Sequence, residues 1–570
     1  MSPMRKDAIL HLPMSEYCHA VGEKRIVFRL RAARGDLTAC TLHYGDTACR
    51  KTPIDFFPAP MRVVQQDEWH DWWEVELDSP FHRLHYYFEL FDGQETCLFY
   101  GDVFTDHLVD DRSEYFKLPF DHRADRAVVP AWTVDAVVYN IFPDSFATGH
   151  RSISGRPTRV CGCEGLRGGT LRGVRENLDY LERLGVNCLY LNPIFVAGAY
   201  HKYDTLDYFH VDPALGTDDD LRALVEACHA RDMRVMLDGV FNHCSWRFFA
   251  FEDVVRRGAA SPYRDWFYHL EFPVVRPESG EPIPGYECFG YERTMPKLDT
   301  ANAQVRDYLC RVGEHWVRAF DIDGWRLDVA SEIDDGFWRE FRRRVKAVKP
   351  DCLLVGEVWE TARHWLNGDM FDSTMNYDFR KHARRFFAEE SIDARAFAGR
   401  CGDMLMRYRK QMIPSQLNLL DSHDVSRFLS LCGGDARRYR LAVLFQLTFP
   451  GMPSIFYGDE LGAMGVREEE YRRAMPWADG DTALWDFFRR AIALRRAHAA
   501  LRGGSFRVLR AESGERLLIY AREGGGERLT VAINAGSASV QLPEAPANVL
   551  WSEGLEGAAL AAHSFAIHAG

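Results

Sequence analysis

Four short clusters in this chain hold the residue types that acid-base and nucleophilic chemistry needs. They read Leu237-Asp238-Gly239-Val240-Phe241-Asn242-His243, Asp323-Gly324-Trp325-Arg326-Leu327-Asp328, Val355-Gly356-Glu357-Val358-Trp359 and Leu420-Asp421-Ser422-His423-Asp424. In an extended strand, alternation puts Arg326 and Asp328 on one face and Trp325 and Leu327 on the other. A fixed guanidinium beside a carboxyl lowers its pKa and keeps it ionised, as a nucleophile requires. Glu357, among like charges and partly shielded from water, is expected to have a raised pKa and to hold a proton that it can give away. Two carboxyls about 5 Å apart in opposite protonation states are the equipment for retaining cleavage of a glycoside through a covalent glycosyl-enzyme. Asp424 can hold two vicinal hydroxyls and stabilise oxocarbenium charge. His243 and His423 can donate hydrogen bonds to hydroxyls without adding an acidic centre. Any one of these residues alone reads better as an ion pair, a cap or a satisfied polar group. Their joint placement carries the functional reading.

That placement depends on the elements around them. From about residue 137 to 496 short apolar strands alternate with amphipathic helices, the pattern of a parallel α/β architecture. Strands are expected at 137–142, 187–191, 234–238, 322–328, 352–356, 371–376, 416–420 and 453–457. Val174, Leu178 and Leu181 mark one helix ending at Gly185, and Leu221, Leu224, Val225 and Cys228 mark another starting at Thr217. A third, with Val305, Leu309, Val312, Trp316 and Phe320, follows the candidate caps Asp299 and Thr300. Eight such repeats make a (β/α)8 TIM barrel, whose active site lies at the carboxyl ends of the strands, where the four clusters fall. The connection after the third strand is far longer than the usual few residues and is expected to form a lobe over the barrel mouth. The division expected is an N-terminal β-sandwich at 1–125, a barrel at 126–502 including the lobe 244–300, and a C-terminal β-sandwich at 503–570.

Composition narrows the partners. The 570 residues carry 70 Lys+Arg against 83 Asp+Glu, a net charge of −13 that repels phosphate backbones and anionic membranes. Nucleic acid is excluded as an expected partner. No stretch nears the roughly 18 apolar residues of a membrane helix, and 1–20 lacks the apolar run of a secretory signal. Fourteen cysteines, with Cys161-x-Cys163 the one close pair, fit neither a zinc module nor a disulfide framework, so reduced thiols in a cytoplasm are expected. Aromatic residues reach 13%, and flat rings suit sugar faces, although core filling explains most of them.

With these motifs on the page, the sequence resembles the α-amylase family of glycoside hydrolases, and within it the neopullulanase, cyclomaltodextrinase and maltogenic amylase group. The resemblance also rests on Val138-Tyr139-Asn140-Ile141-Phe142-Pro143, His201-Lys202-Tyr203-Asp204-Thr205, Met295-Pro296-Lys297-Leu298 and Pro450-Gly451-Met452-Pro453-Ser454-Ile455-Phe456-Tyr457-Gly458. It implies that Asp328 is the nucleophile, Glu357 the acid/base and Asp424 the transition-state stabiliser. Asp238, His243, Arg326 and His423 would bind sugar or support the site, and Tyr203 would be a stacking platform at the cleavage point. Phe289 and Trp359 would grip the acceptor side, and Arg472 the distal end of the cleft. The stretches Ser15-Glu16-Tyr17-Cys18 and Leu42-His43-Tyr44-Gly45-Asp46 resemble the group's starch-binding-type module, through which relatives often form homodimers. Of Trp69, Trp72 and Trp73 in that module, alternation assigns at least one to the core.

Departures from the group carry their own expectations. The loop Phe146-Ala147-Thr148-Gly149-His150 and the run Gly168-Gly169-Thr170 lack the carboxylates of the group's usual calcium loop. No cofactor is required, and calcium, which wants several oxygen ligands, meets a degenerate site. Asp299, Ser331, Glu360 and Glu468 also differ from the group's usual residues. The expected activity is retaining hydrolysis, mainly of α-1,4 bonds in cyclomaltodextrins and maltooligosaccharides, with pullulan and starch as further candidates and some transglycosylation. The alternatives are a noncatalytic glycan-binding protein on the same scaffold and an oligo-1,6-glucosidase or glucosyltransferase.

Overall fold

The computed structural model describes residues 4–152, 158–160, 163–276 and 285–570. Its centre is a closed barrel of eight parallel strands: β1 (Val138–Ile141), β2 (Cys188–Leu191), β3 (Arg234–Gly239), β4 (Gly324–Leu327), β5 (Leu353–Gly356), β6 (Ser373–Asn376), β7 (Leu417–Leu419) and β8 (Met452–Phe456). Every expected strand is present, with ends moved by one or two residues. The barrel interior is filled by Val138, Cys188, Tyr190, Met236, Leu353, Val355, Met375 and Leu417, and the outward faces pack on the surrounding helices. It is a packed core with its chemistry at one end.

The helices follow their capping signals with two corrections. The helix at Asp218–His229 starts with a reciprocal capping box between Thr217 and Asp220. The run that periodicity reads as one helix is two, Leu171–Glu176 and Leu178–Leu184, broken at Asn177. The Asn177 amide donates to the Gly149 and Gly173 carbonyls and its oxygen accepts from the Arg151 N–H, so it serves the loop after β1 instead of continuing the helix. The helix Ala303–Phe320 is capped by Asn302, not by Asp299 or Thr300. Thr300 instead donates to Asp334, while Asp299 accepts from the Ala301 N–H.

The connection after β3 forms a lobe with a helix at Phe249–Arg257 and a hairpin of Cys288–Phe289 with Glu292–Pro296. A second hairpin, Phe195–Ala197 with Thr205–Val211, follows β2. Its tip is set by the buried pair Lys202–Asp212 at 2.9 Å.

The N-terminal domain is two antiparallel sheets around Ile26, Phe28, Leu30, Leu42, Trp73, Tyr86 and Phe88. Strand Arg25–Ala33 is buried on both faces, because Val27 and Arg29 turn away from that core towards the barrel. Trp72 and Trp73 point opposite ways: Trp72 joins the barrel's apolar cluster, stacked on Tyr17, and Trp73 fills the domain's own core. Trp69 is exposed on the turn before them. That turn docks on the helix Ala394–Met406 at Gly399 and Gly402, where an added Cβ would lie 2.8 Å from the Glu68 N and 2.2 Å from the Gln66 O. The C-terminal residues form a six-stranded antiparallel sheet around Leu517, Ile519, Ala532, Leu560 and Ala566. Twelve cysteines are free thiols, mostly buried, while the side chains of Cys161 and Cys163 lie outside what the structure describes.

Candidate active site

Parallel pairing sets Asp238 on β3 beside Arg326 on β4, and Leu327 beside Gly356 on β5. The register therefore brings Asp238, Arg326, Asp328 and Glu357 to one rim. At its centre is the Arg326 guanidinium, fully buried. Its Nη1 donates to Asp238 Oδ1 at 2.8 Å and to Asp328 Oδ1 at 2.7 Å. Its Nη2 lies 2.7 Å from Glu357 Oε1 and 4.0 Å from Asp424 Oδ2. One cation thus faces four carboxylates. The tyrosine hydroxyls of Tyr190 and Tyr203 both donate to Asp238 Oδ2, at 2.7 and 3.0 Å, and so anchor the carboxylate that holds Arg326 from below.

The sharing of Arg326 changes the expected ionisation. Burial pushes the Asp328 carboxyl well above the ordinary carboxylate range. Arg326 pulls it back, while Glu357 and Asp238 add to the rise. Burial raises Glu357 as well, opposed by Arg326 and by the Val329 amide and reinforced by Asp424. The expectation that Arg326 simply depresses Asp328 is therefore corrected, because the cation is divided and the net charge of the cluster stays negative. Nη1 hydrogen-bonds Asp328 Oδ1, and Glu357 accepts the Val329 N–H at Oε2 and the Trp359 indole N–H at Oε1, so donors that favour an anion reach both carboxyls. Asp328 lines the cleft, and its buried Oδ2 has no hydrogen-bond partner among the described residues.

Burial opposes ionisation of Asp424, but His423, Arg326 and Arg472 overcome it and hold its carboxyl well below the usual range. His423 Nε2 is 2.9 Å from Asp424 Oδ2 and also meets the Tyr203 hydroxyl, while Asn192 lies 2.8 Å from Nδ1. Both ring nitrogens are engaged inside the protein. His423 supports Asp424 and Tyr203 instead of offering the free donor expected of it. His243 is neutral, because burial, aided by Lys297, pushes its pKa down to about 3, and its buried Nε2 has no partner among the described residues. Arg472 donates to the His423 carbonyl at 2.7 Å and pairs with Asp424 at 3.3 Å and Glu468 at 2.6 Å.

The cleft over this rim measures about 540 Å³. Tyr203 lies along its floor, nearly parallel to the His423 ring at 5.5 Å. Phe289 stacks on His243 at 4.9 Å from the lobe hairpin. Trp359, half exposed, lies 3.9 Å above Tyr377 with an interplanar angle of 8°. All eleven residues singled out from sequence meet at this one place. Tyr190, Asn192, His201 and Tyr377 were missed. The first two alternate with Leu191 at the end of β2, so polar residues on the inward face were the available signal. His201 was in a quoted motif but without a role; it lines the cleft and its Nδ1 accepts the Tyr203 N–H.

Comparison with known proteins bears on the family and the fold. Residues 140–490 match the model of the α-amylase catalytic domain, and residues 4–122 that of the α-amylase N-terminal Ig-like domain. The chain is 43% identical to a cyclomaltodextrinase of Geobacillus thermopakistaniensis, covering 95% of this chain and 93% of that one. It is 39% identical to neopullulanase 2 of Thermoactinomyces vulgaris, covering 93% and 91%. A solved cyclomaltodextrinase structure superposes with a TM-score of 0.91 at 38% identity, covering 99% of each chain.

Proposed function

Since the chain belongs to the α-amylase family, and is therefore a glycoside hydrolase acting on α-glucans, we propose that it works by retention, on α-1,4 bonds of cyclomaltodextrins and maltooligosaccharides. The observation that carries this reading is one buried guanidinium hydrogen-bonded to Asp328 and lying against Glu357, beneath a cleft that both carboxyl residues line. A glucose ring stacked on Tyr203 would set its anomeric carbon over Asp328. Glu357 gives its proton to the glycosidic oxygen as that bond breaks, and Asp328 Oδ2 bonds to the anomeric carbon. Asp424, kept anionic, stabilises the positive charge at the sugar. Glu357, now a carboxylate, then takes a proton from water, whose oxygen displaces Asp328 from the sugar.

A sugar hydroxyl in place of that water gives transglycosylation. The half-exposed Trp359 and the Phe289 hairpin support such an acceptor by offering apolar ring faces beside the acid/base. Pullulan and starch fit the same chemistry, and the names of the relatives extend to neopullulanase. The free thiols of the described cysteines support a reducing, cytoplasmic setting, and no described helix is long and apolar enough to cross a membrane. Nucleic acid is not a partner in this reading, given the net charge of −13.

The test is product analysis with β-cyclodextrin, pullulan, maltotriose and isomaltose, with the first-formed anomer read by proton NMR. Asp328→Asn and Glu357→Gln are each expected to lower kcat by at least about 10³-fold while the fold persists, and the parent enzyme to release the α-anomer first. A first-formed β-anomer would overturn retention. Failure to release reducing sugar from any substrate would leave the glycan-binding reading, and rapid isomaltose cleavage with inert cyclodextrin the oligo-1,6-glucosidase reading.

A further inference from the structure

Val329, directly after Asp328, has φ 45° and ψ 44°, the left-handed conformation that a β-branched side chain disfavours strongly. Such a residue persists only where its surroundings impose it. Here the turn produces a closed set of bonds between β4 and β5. The Glu357 N–H donates to the Leu327 carbonyl at 2.9 Å, the Ala330 N–H to the Glu357 carbonyl at 3.2 Å, and the Val329 N–H to Glu357 Oε2 at 2.9 Å. On the other side the Asp328 N–H donates to the Gly239 carbonyl of β3 at 3.0 Å. The chain therefore turns over between the two carboxyls, leaving Asp328 tied to β3 and sending the next amide to the acid/base. An ordinary right-handed or extended residue at 329 would turn the following peptide, and with it the Ala330 N–H, away from the Glu357 carbonyl and open the turn.

We propose that Val329 is a positioning residue for the acid/base: the closed turn it heads holds its amide on Glu357 Oε2, fixing the carboxyl and stabilising its anion once the proton has left. Glu357 Oε1 receives the Trp359 indole N–H at 3.3 Å, so the two carboxyl oxygens are held from opposite sides. The inference rests on Glu357 being the acid/base. Its mechanistic content is that the amide does little for the protonated acid and most for the carboxylate, the form that must activate water in the second half of the cycle.

The direct test replaces Val329 by its α-hydroxy acid, which turns the amide into an ester, removes the donor and keeps the isopropyl group. Loss of a donor to the anion raises the pKa of Glu357, so the basic limb of kcat/KM is expected to move up by about one pH unit. The kcat is expected to fall about tenfold with KM for maltotriose changed less than about twofold. The same ester at Ala330, which removes a donor to a backbone carbonyl of the same turn, is expected to leave the limb in place. An unmoved limb for the 329 ester, or an equal shift for the 330 ester, would overturn the proposal. If the 329 ester does not fold, the Val329 amide proton of the parent serves: as a donor to Glu357 Oε2 its resonance is expected to move downfield across the basic limb, and a resonance that stays in place there overturns the proposal. These outcomes are distinct from failure of the acid/base assignment itself, which Glu357→Gln tests.

Discussion

At the scale of single residues, the cluster around Arg326 is a site whose chemistry costs stability. Asp238, Asp328, Glu357 and Asp424 crowd one buried cation, and both Asp328 and Glu357 are pushed above their ordinary range by burial. A carboxyl whose folded pKa is raised binds its proton more tightly in the native state. Its contribution to stability is full below the unfolded pKa, near 4, and is lost as pH rises towards the folded value. Removing that charge should therefore help the fold most at neutral pH. Asp328→Asn is expected to be inactive yet to melt higher than the parent at pH 7, with the gain shrinking by pH 4. Calorimetry at both pH values checks this, and a lower melting temperature at pH 7 would contradict the crowded-cation account. The pairing of Arg326 with Asp328 was legible because period-2 alternation puts them on one face. The division of Arg326 among four acids, and the engagement of both His423 nitrogens, were not, because both depend on inter-strand register that one sequence does not contain.

At the scale of elements, strands were legible as short β-branched and apolar runs ending in polar clusters, and the long connection after β3 revealed its lobe by length alone. The break at Asn177 was hidden, since Val174, Leu178 and Leu181 keep helical spacing across it while its side chain closes contacts to a distant loop. That loop bears on calcium. The Gly149 carbonyl is taken by Asn177, and the Asp144 carboxylate accepts the Arg167 and Gly168 amides, so oxygens near the expected ligand loop are already spent within the protein. Hard cations need several free oxygens, and the residues described there do not fit one. We propose that activity needs no bound calcium. Dialysis against EDTA is expected to leave kcat within about 20% of the parent and the melting temperature unchanged, because the loop is closed by its own hydrogen bonds. A fall of several degrees, restored by calcium, would refute this.

At the scale of the whole molecule, the N-terminal domain is bound to the barrel through polar groups that no local pattern reveals. We propose that the chain forms a homodimer through that domain, where Phe57, Trp69 and Phe120 are exposed; sedimentation should give twice the chain mass at micromolar concentration, and a monomer would remove the idea. Within one chain the fastening centres on Arg29. It reads as an ordinary polar residue of the strand Arg25–Ala33, yet it is 1% exposed. Its Nε donates to Glu74 at 2.9 Å, and its Nη1 to the Met406 and Tyr408 carbonyls at 3.2 and 2.7 Å. Lys410 joins the same network, its Nζ 2.8 Å from Glu74 and its N–H donating to His19 at 3.0 Å. These barrel residues lie on the segment that leads into β7 and so to His423 and Asp424. Arg29→Ala strands two carbonyls and half of the Glu74 charge balance in a buried place, which costs about 3 kcal/mol, partly relieved by Lys410. The variant is expected to melt several degrees lower and to be cut faster by protease in the 123–132 connection. Its kcat at 25 °C should stay within about threefold of the parent, because Arg29 touches nothing in the cleft. An unchanged melting temperature would show that apolar contacts such as Trp72 against Tyr17 hold the domains together without it.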